Sequence, residues 1–133
     1  SALVGGQEFI ARARRFRKMF GGGMRQGGII AAGALHALRN HRARLADDHA
    51  NARTLAQALA AMPGVELDPA DVETNIVFFR VKSMPAGELE AKLKDAGVLV
   101  LALGADRVRA VTSLMVDAAD IAEAVTAMRG LLC

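Results

Sequence analysis

Arg17-Lys18-Met19-Phe20-Gly21-Gly22-Gly23-Met24-Arg25-Gln26-Gly27-Gly28 is the stretch on which the reading of this 133-residue sequence turns. Five glycines bracket an arginine, and a strongly basic segment comes just before them. Glycine tolerates positive φ and lets a backbone or ligand approach closely, so three in a row mark a bare connection with an entropic cost. Backbone N–H groups in such a loop can hold an anion, with Lys18 and Arg25 supplying charge on either side. A flexible linker beside a solvated basic face accounts for the same residues. Neither GxGxxG nor GxxxxGK[ST] is present, so spacing alone leaves both readings open.

The net charge of +3 hides an uneven distribution. Residues 1–25 hold Arg12, Arg14, Arg15, Arg17, Lys18 and Arg25 against Glu8 alone. An anionic partner near this segment follows, either nucleic acid or a phosphate-bearing small molecule. Trp and Tyr are both missing, and with them the aromatic interleaving on which single-strand binders stack bases. Nucleic acid is therefore not expected as a partner.

A chain of 133 residues has room for one ordinary domain, or for a small domain with pieces of a larger one. Its 53% hydrophobic content suits a packed interior. No uninterrupted apolar run approaches the roughly 18 residues that span a bilayer, so a soluble chain without a membrane partner is expected. Cys133 is the single cysteine, which excludes an internal disulfide framework and fits a reducing, cytoplasmic compartment. Ser1-Ala2-Leu3-Val4-Gly5-Gly6 has no basic n-region and too short an apolar run for a signal peptide. Without an initiator methionine, the chain is expected to be a piece of something longer.

Taken in order, Ala2-Leu3-Val4 closed by Gly5-Gly6 reads as the end of a strand. Phe9, Ile10, Ala13, Phe16 and Phe20 fall at helical spacing with arginines opposite, an amphipathic helix with a cationic side. Residues 29–62 contain no proline and favour helix throughout. They read as one long helix, or two meeting near His41, stopped by Pro63-Gly64. Val65-Glu66-Leu67 is a short strand and Asn75 to Val81 a strong one. Pro85 opens a helix that ends at Gly97. Val98–Leu103 and Val108–Val116 form a hairpin about Gly104-Ala105-Asp106, and Asp117 with Asp120 caps a last helix. The expected second half is β-β-α-β-β-α, an antiparallel sheet with helices on one face. The domain boundary falls after residue 45, giving domains 1–45 and 46–133.

His36, His41 and His49 are spaced by five and eight, which does not give the i, i+4 pair of a helical metal site. No metal, and no Ser-His-Asp or Cys-His catalytic arrangement, is expected. Arg109 stands out because it interrupts the apolar Val108-Arg109-Ala110-Val111. Such an arginine either points to solvent or grips a carboxylate with two parallel N–H···O bonds.

The Arg17–Gln26 stretch, together with Ser1-Ala2-Leu3-Val4-Gly5, Leu45-Ala46-Asp47-Asp48-His49, Thr74 to Val81 and Arg109-Ala110-Val111-Thr112, resembles the low-specificity L-threonine aldolases. These belong to the β-eliminating lyase branch of the fold-type I pyridoxal-phosphate enzymes. The resemblance covers essentially the whole chain, in order. It implies an α/β fold of the fold-type I class, present here as a C-terminal portion. That portion comprises a terminal strand and helices of the large cofactor-binding domain, a long connecting helix, and a small α+β domain with an antiparallel sheet.

The implied activity is cleavage of L-threonine, L-allo-threonine or related β-hydroxy amino acids to glycine and an aldehyde, with pyridoxal 5'-phosphate as cofactor. Arg109 matches the family arginine that binds the substrate carboxylate. Lys18 and Arg25 match basic residues that serve the cofactor or substrate across a subunit interface in a homotetramer. The family's cofactor lysine falls upstream of Ser1, in a missing N-terminal segment, so no catalytic residue is assigned in this chain and the isolated piece is expected to be inactive. Where the family commonly has His-Leu-Asp after Val-Thr, this chain has Ser113-Leu114-Met115, which leaves the preferred β-hydroxy amino acid open. The alternative is a self-standing, non-catalytic α+β module that binds an amino acid or a partner.

Overall fold

The computed structural model describes residues 2–133. The chain forms two compact units, one ending at His41 and the other running from Arg42 to Cys133.

The first unit holds two helices, α1 (Gln7–Met19) and α2 (Gly28–Asn40). Helix α1 has the expected amphipathic pattern, yet neither helix buries a residue. Phe9, Phe16 and Phe20 stay exposed, and the rings of Phe16 and Phe20 stack at 6.3 Å one turn apart. The glycine run ends α1 through a Schellman arrangement. Gly21 takes φ +76°. Its N–H donates to the Lys18 carbonyl at 3.2 Å, and the Gly22 N–H donates to the Arg17 carbonyl at 2.8 Å. An L side chain at Gly21 would be strained in that conformation.

Ala2-Leu3-Val4 is not a strand. A strand exists as a hydrogen-bonded ladder, and among the described residues none pairs with this run. Leu3 and Val4 are exposed.

Of the two readings of residues 29–62, the one with two helices meeting near His41 holds: α2 is followed by a separate α3 (Leu45–Ala60) rather than by one long connecting helix. Between them His41–Arg44 form a turn. The His41 N–H still donates to the Ala37 carbonyl, but the Leu45 and Asp47 N–H groups reach back only three residues, to Arg42 and Arg44. The new helix starts with an Arg44–Asp48 ion pair of 3.1 Å at i, i+4 spacing.

The second unit is a four-stranded antiparallel sheet with three helices on one face. Its strands are β1 (Val65–Glu66), β2 (Ile76–Val81), β3 (Leu101–Ala102) and β4 (Arg107–Val111), in the order β1-β2-β4-β3. Helices α3, α4 (Ala86–Asp95) and α5 (Ala118–Leu132) complete the unit. Alternation decides which face is covered. Val77, Phe79 and Val81 of β2 and Val108 and Ala110 of β4 are buried against Leu55 and Leu59 of α3, Leu89 and Leu93 of α4 and Met128 of α5. The intervening residues lie on the open face.

The expected β-β-α-β-β-α order is present, and local chemistry explains its ends. Pro85 sits at the N-cap of α4, one residue before the first turn. Asp117 and Asp120 form a full capping box on α5: the Asp117 carboxylate accepts the Ala119 and Asp120 N–H groups at 2.7 and 3.0 Å, and Asp120 accepts the Asp117 N–H at 2.8 Å. The third and fourth strands are shorter than their apolar runs. The hairpin closes through Gly104 at φ +89° and a 2.7 Å bond from the Leu103 N–H to the Arg107 carbonyl. Residues 97–100 form no strand, and with the end of β4 and α5 they line an open apolar pocket of about 410 Å³.

Candidate functional site

The candidate residues are spread over both units, with Lys18 and Arg25 in the first and Arg109 in the second. In the first unit, the Schellman arrangement alters what the glycine run can do. The amides of Gly21 and Gly22 are committed to helix carbonyls, so they are not an anion cradle. The cationic side chains remain. Lys18 lies along Gly23: a Cβ placed at Gly23 would stand 2.9 Å from Lys18 Cδ and 3.6 Å from Nζ. The bare glycine is what gives that side chain room. Arg25 sits in the following turn, exposed, beside Gln26, whose φ of 56° is the single positive value outside glycine among the described residues. Lys18 stands in the last turn of α1, where positive charge is favoured.

In the second unit, Arg109 occupies the open face of the sheet, because β4 turns Val108 and Ala110 towards the helices. Its direct partners across the sheet are Phe78 of β2 and Leu101 of β3. Other charged groups on or beside this face are engaged: Arg80 pairs with Asp106 at 2.5 Å, and Lys82 pairs with Glu66. The Arg107 guanidinium lies 5.8 Å from the centre of the Phe78 ring. Arg109 differs from all of these. It is half-buried, forms no ion pair among the described residues, and its Nε is buried without a hydrogen-bond partner.

A buried N–H donor left unpaired costs about 1–3 kcal/mol. A carboxylate oxygen at that position removes the cost and adds a charge-assisted bond. An arginine on a solvated face ordinarily keeps its Nε wet, whereas the Arg109 Nε is buried. Phe78 and Leu101 were not singled out from sequence. Alternation put Phe78 on the open face, but only the strand register sets it opposite Arg109.

The end of this sheet is held by polar contacts. Thr112 is buried, and its hydroxyl donates to the Asp48 carbonyl at 2.6 Å. Ser113, at the position where the resemblance left a polar role open, accepts the Met115 N–H at 3.3 Å, and the Met115 side chain is exposed. The rings of His36 and His41 meet edge-on at 5.2 Å. Among the described residues no three His, Cys, Asp or Glu side chains gather as a metal site, and no helix is long and apolar enough to cross a membrane.

A family model described as beta-eliminating lyase matches residues 1–82. The low specificity L-threonine aldolase of Escherichia coli (strain K12) is 42% identical over 132 residues, covering 99% of this chain and 38% of that protein. The probable low-specificity L-threonine aldolase 2 of Arabidopsis thaliana is 40% identical over 124 residues, covering 91% of this chain and 35% of that protein. Among solved structures, MppP soaked with the product 2-ketoarginine aligns with a TM-score of 0.58 at 19% identity, over 72% of this chain and 30% of that one. That likeness speaks to the fold. The chain spans little more than a third of the length of the curated relatives it matches.

Proposed function

From the premise that this chain belongs to the beta-eliminating lyase family, we propose that it is the C-terminal part of a pyridoxal-phosphate-dependent aldolase that cleaves L-threonine, L-allo-threonine or related β-hydroxy amino acids to glycine and an aldehyde. The observation that carries the reading is Arg109 Nε, buried and unpartnered on the open sheet face. Its support from outside the chain is the 40–42% identity to aldolases of that substrate class.

Bound pyridoxal phosphate supplies the electron sink for breaking the Cα–Cβ bond. The residues of this chain hold and orient. Arg109 grips the substrate α-carboxylate with Nε and one terminal nitrogen, two parallel bonds that fix the plane of the carboxylate and with it the rotation about Cα. Arg107, exposed beside it, lies with its guanidinium 5.8 Å from the centre of the Phe78 ring. Lys18 and Arg25 act as point charges for the anionic groups of cofactor or substrate, each free of an ion pair among the described residues. Chemically the donors present fit such anions, although they make up only part of a site.

The reading extends to a homo-oligomer, a tetramer, in which Lys18 and Arg25 serve a neighbouring subunit, and to a cytoplasmic enzyme. In its support, α1 and α2 bury nothing within this chain, leaving Phe9, Phe16, Met19, Ile29 and Leu38 for other surfaces to cover. On their own the 133 residues are not expected to turn over substrate. The test is aldehyde and glycine release by the complete enzyme loaded with pyridoxal phosphate. Release from L-threonine or L-allo-threonine is expected, and no release from any β-hydroxy amino acid overturns the proposal.

A further inference from the structure

We infer that Phe78 is a positioning residue for Arg109, and that the ring sets how strongly the site prefers a charged carboxylate to its neutral analogues. The inference rests on the reading of Arg109 as the carboxylate ligand.

Three observations carry it. Phe78 and Leu101 are the two residues in register with Arg109, one on each neighbouring strand, and direct cross-strand neighbours bring their Cβ atoms to about 4.5–5.5 Å. The arginine stem therefore runs between two apolar side chains. Second, Arg109 is half-buried whereas Arg107 and Val111, two residues away on the same strand face, are exposed. What distinguishes the position is its flanks, since the strand and face are shared. Third, the Phe78 ring carries the Arg107 guanidinium 5.8 Å from its centre. Phe78 is thus pinned by one arginine while it walls another.

Nε stands buried and unpaired between these flanking positions. A desolvated guanidinium interacts more strongly with an anion than an exposed one, because the effective dielectric is lower. The same desolvation penalises a ligand that brings no charge. Removal of the ring lets water reach Nε and frees the Arg109 side chain to adopt other rotamers. Binding of a carboxylate then weakens, while the chemistry at Cα is untouched.

The complete holoenzyme tests this with Phe78→Ala, Phe78→Leu, Arg107→Ala and Arg109→Ala, read by titration calorimetry with glycine and with glycinamide, beside KM and kcat for L-threonine. F78A is expected to weaken glycine binding about tenfold, to narrow the preference for glycine over glycinamide, and to raise KM with little change in kcat. F78L, which keeps apolar bulk without a ring face, is expected to lose about threefold, and R107A less than F78A. If F78A does not fold, F78L carries the same comparison. Unchanged glycine affinity in the folded Phe78 variants, or a fall in kcat at constant KM, overturns the inference. R109A separates the two claims. Weak glycine binding in R109A alone removes the role of Phe78 and leaves the carboxylate reading standing, whereas unchanged binding in R109A removes the carboxylate reading itself.

Discussion

Asn75 and Thr112 clasp each other's backbone: the Asn75 side-chain amide donates to the Thr112 carbonyl at 2.8 Å, and the Thr112 N–H donates to the Asn75 carbonyl at 2.9 Å. This contact lies just before β2 and just after β4, three residues from Arg109. The Thr112 hydroxyl adds a bond of 2.6 Å to the Asp48 carbonyl and so fastens the sheet end to α3. Thr112→Val keeps the shape and leaves that carbonyl without its donor. A loss of about 1–3 kcal/mol is expected, read as a lower denaturation midpoint at constant m-value. A midpoint like that of the parent chain would show the hydroxyl bond to be dispensable.

The glycine run yields two opposed outcomes. Gly21→Ala places a Cβ at φ +76° and is expected to cost about 1 kcal/mol of helix stability, with α1 fraying at its last turn. Gly23→Ala meets the flexible Lys18 stem at 2.9 Å, which can swing aside at little cost in stability. Its effect falls on the position of the Lys18 ammonium. The complete enzyme with G23A is expected to keep its melting temperature and lose activity. Full activity in G23A would remove Lys18 from the site.

Burial separates the two units in dynamics as well. Helices α1 and α2 bury no residue, whereas α3, α4 and α5 each contribute several. In the isolated chain, amide exchange is expected to be slow in β2, β4 and α3 and fast in α1 and α2, because helical stability comes mainly from tertiary packing. Equal protection across all five helices would mean that the first unit is stable without further surfaces.

Much of the second unit was legible in the sequence. Ile76 to Val81 is rich in β-branched and aromatic residues, the Asp117 and Asp120 pair announces a capping box, and Pro63-Gly64 stops a helix. The break between α2 and α3 was legible only as one of two alternatives, because no proline or glycine lies in His41–Arg44 and propensity favours helix there. Backbone turns and the Arg44–Asp48 pair made the break. Ala2–Val4 failed as a strand because an apolar run carries no information about its pairing partner. Arg109 was visible as a charge inside an apolar run, but the burial of its Nε depended on its flanks. Those flanks follow from the register Phe78↔Arg109↔Leu101, which period-two alternation alone does not fix.

Steady-state kinetics of the complete enzyme with Arg109 replaced by alanine reach the carboxylate assignment most directly. The lost pair of charge-assisted bonds is expected to lower kcat/KM for L-threonine by about 2–5 kcal/mol, a fall of roughly thirtyfold or more, while pyridoxal phosphate remains bound. An unchanged kcat/KM would contradict it.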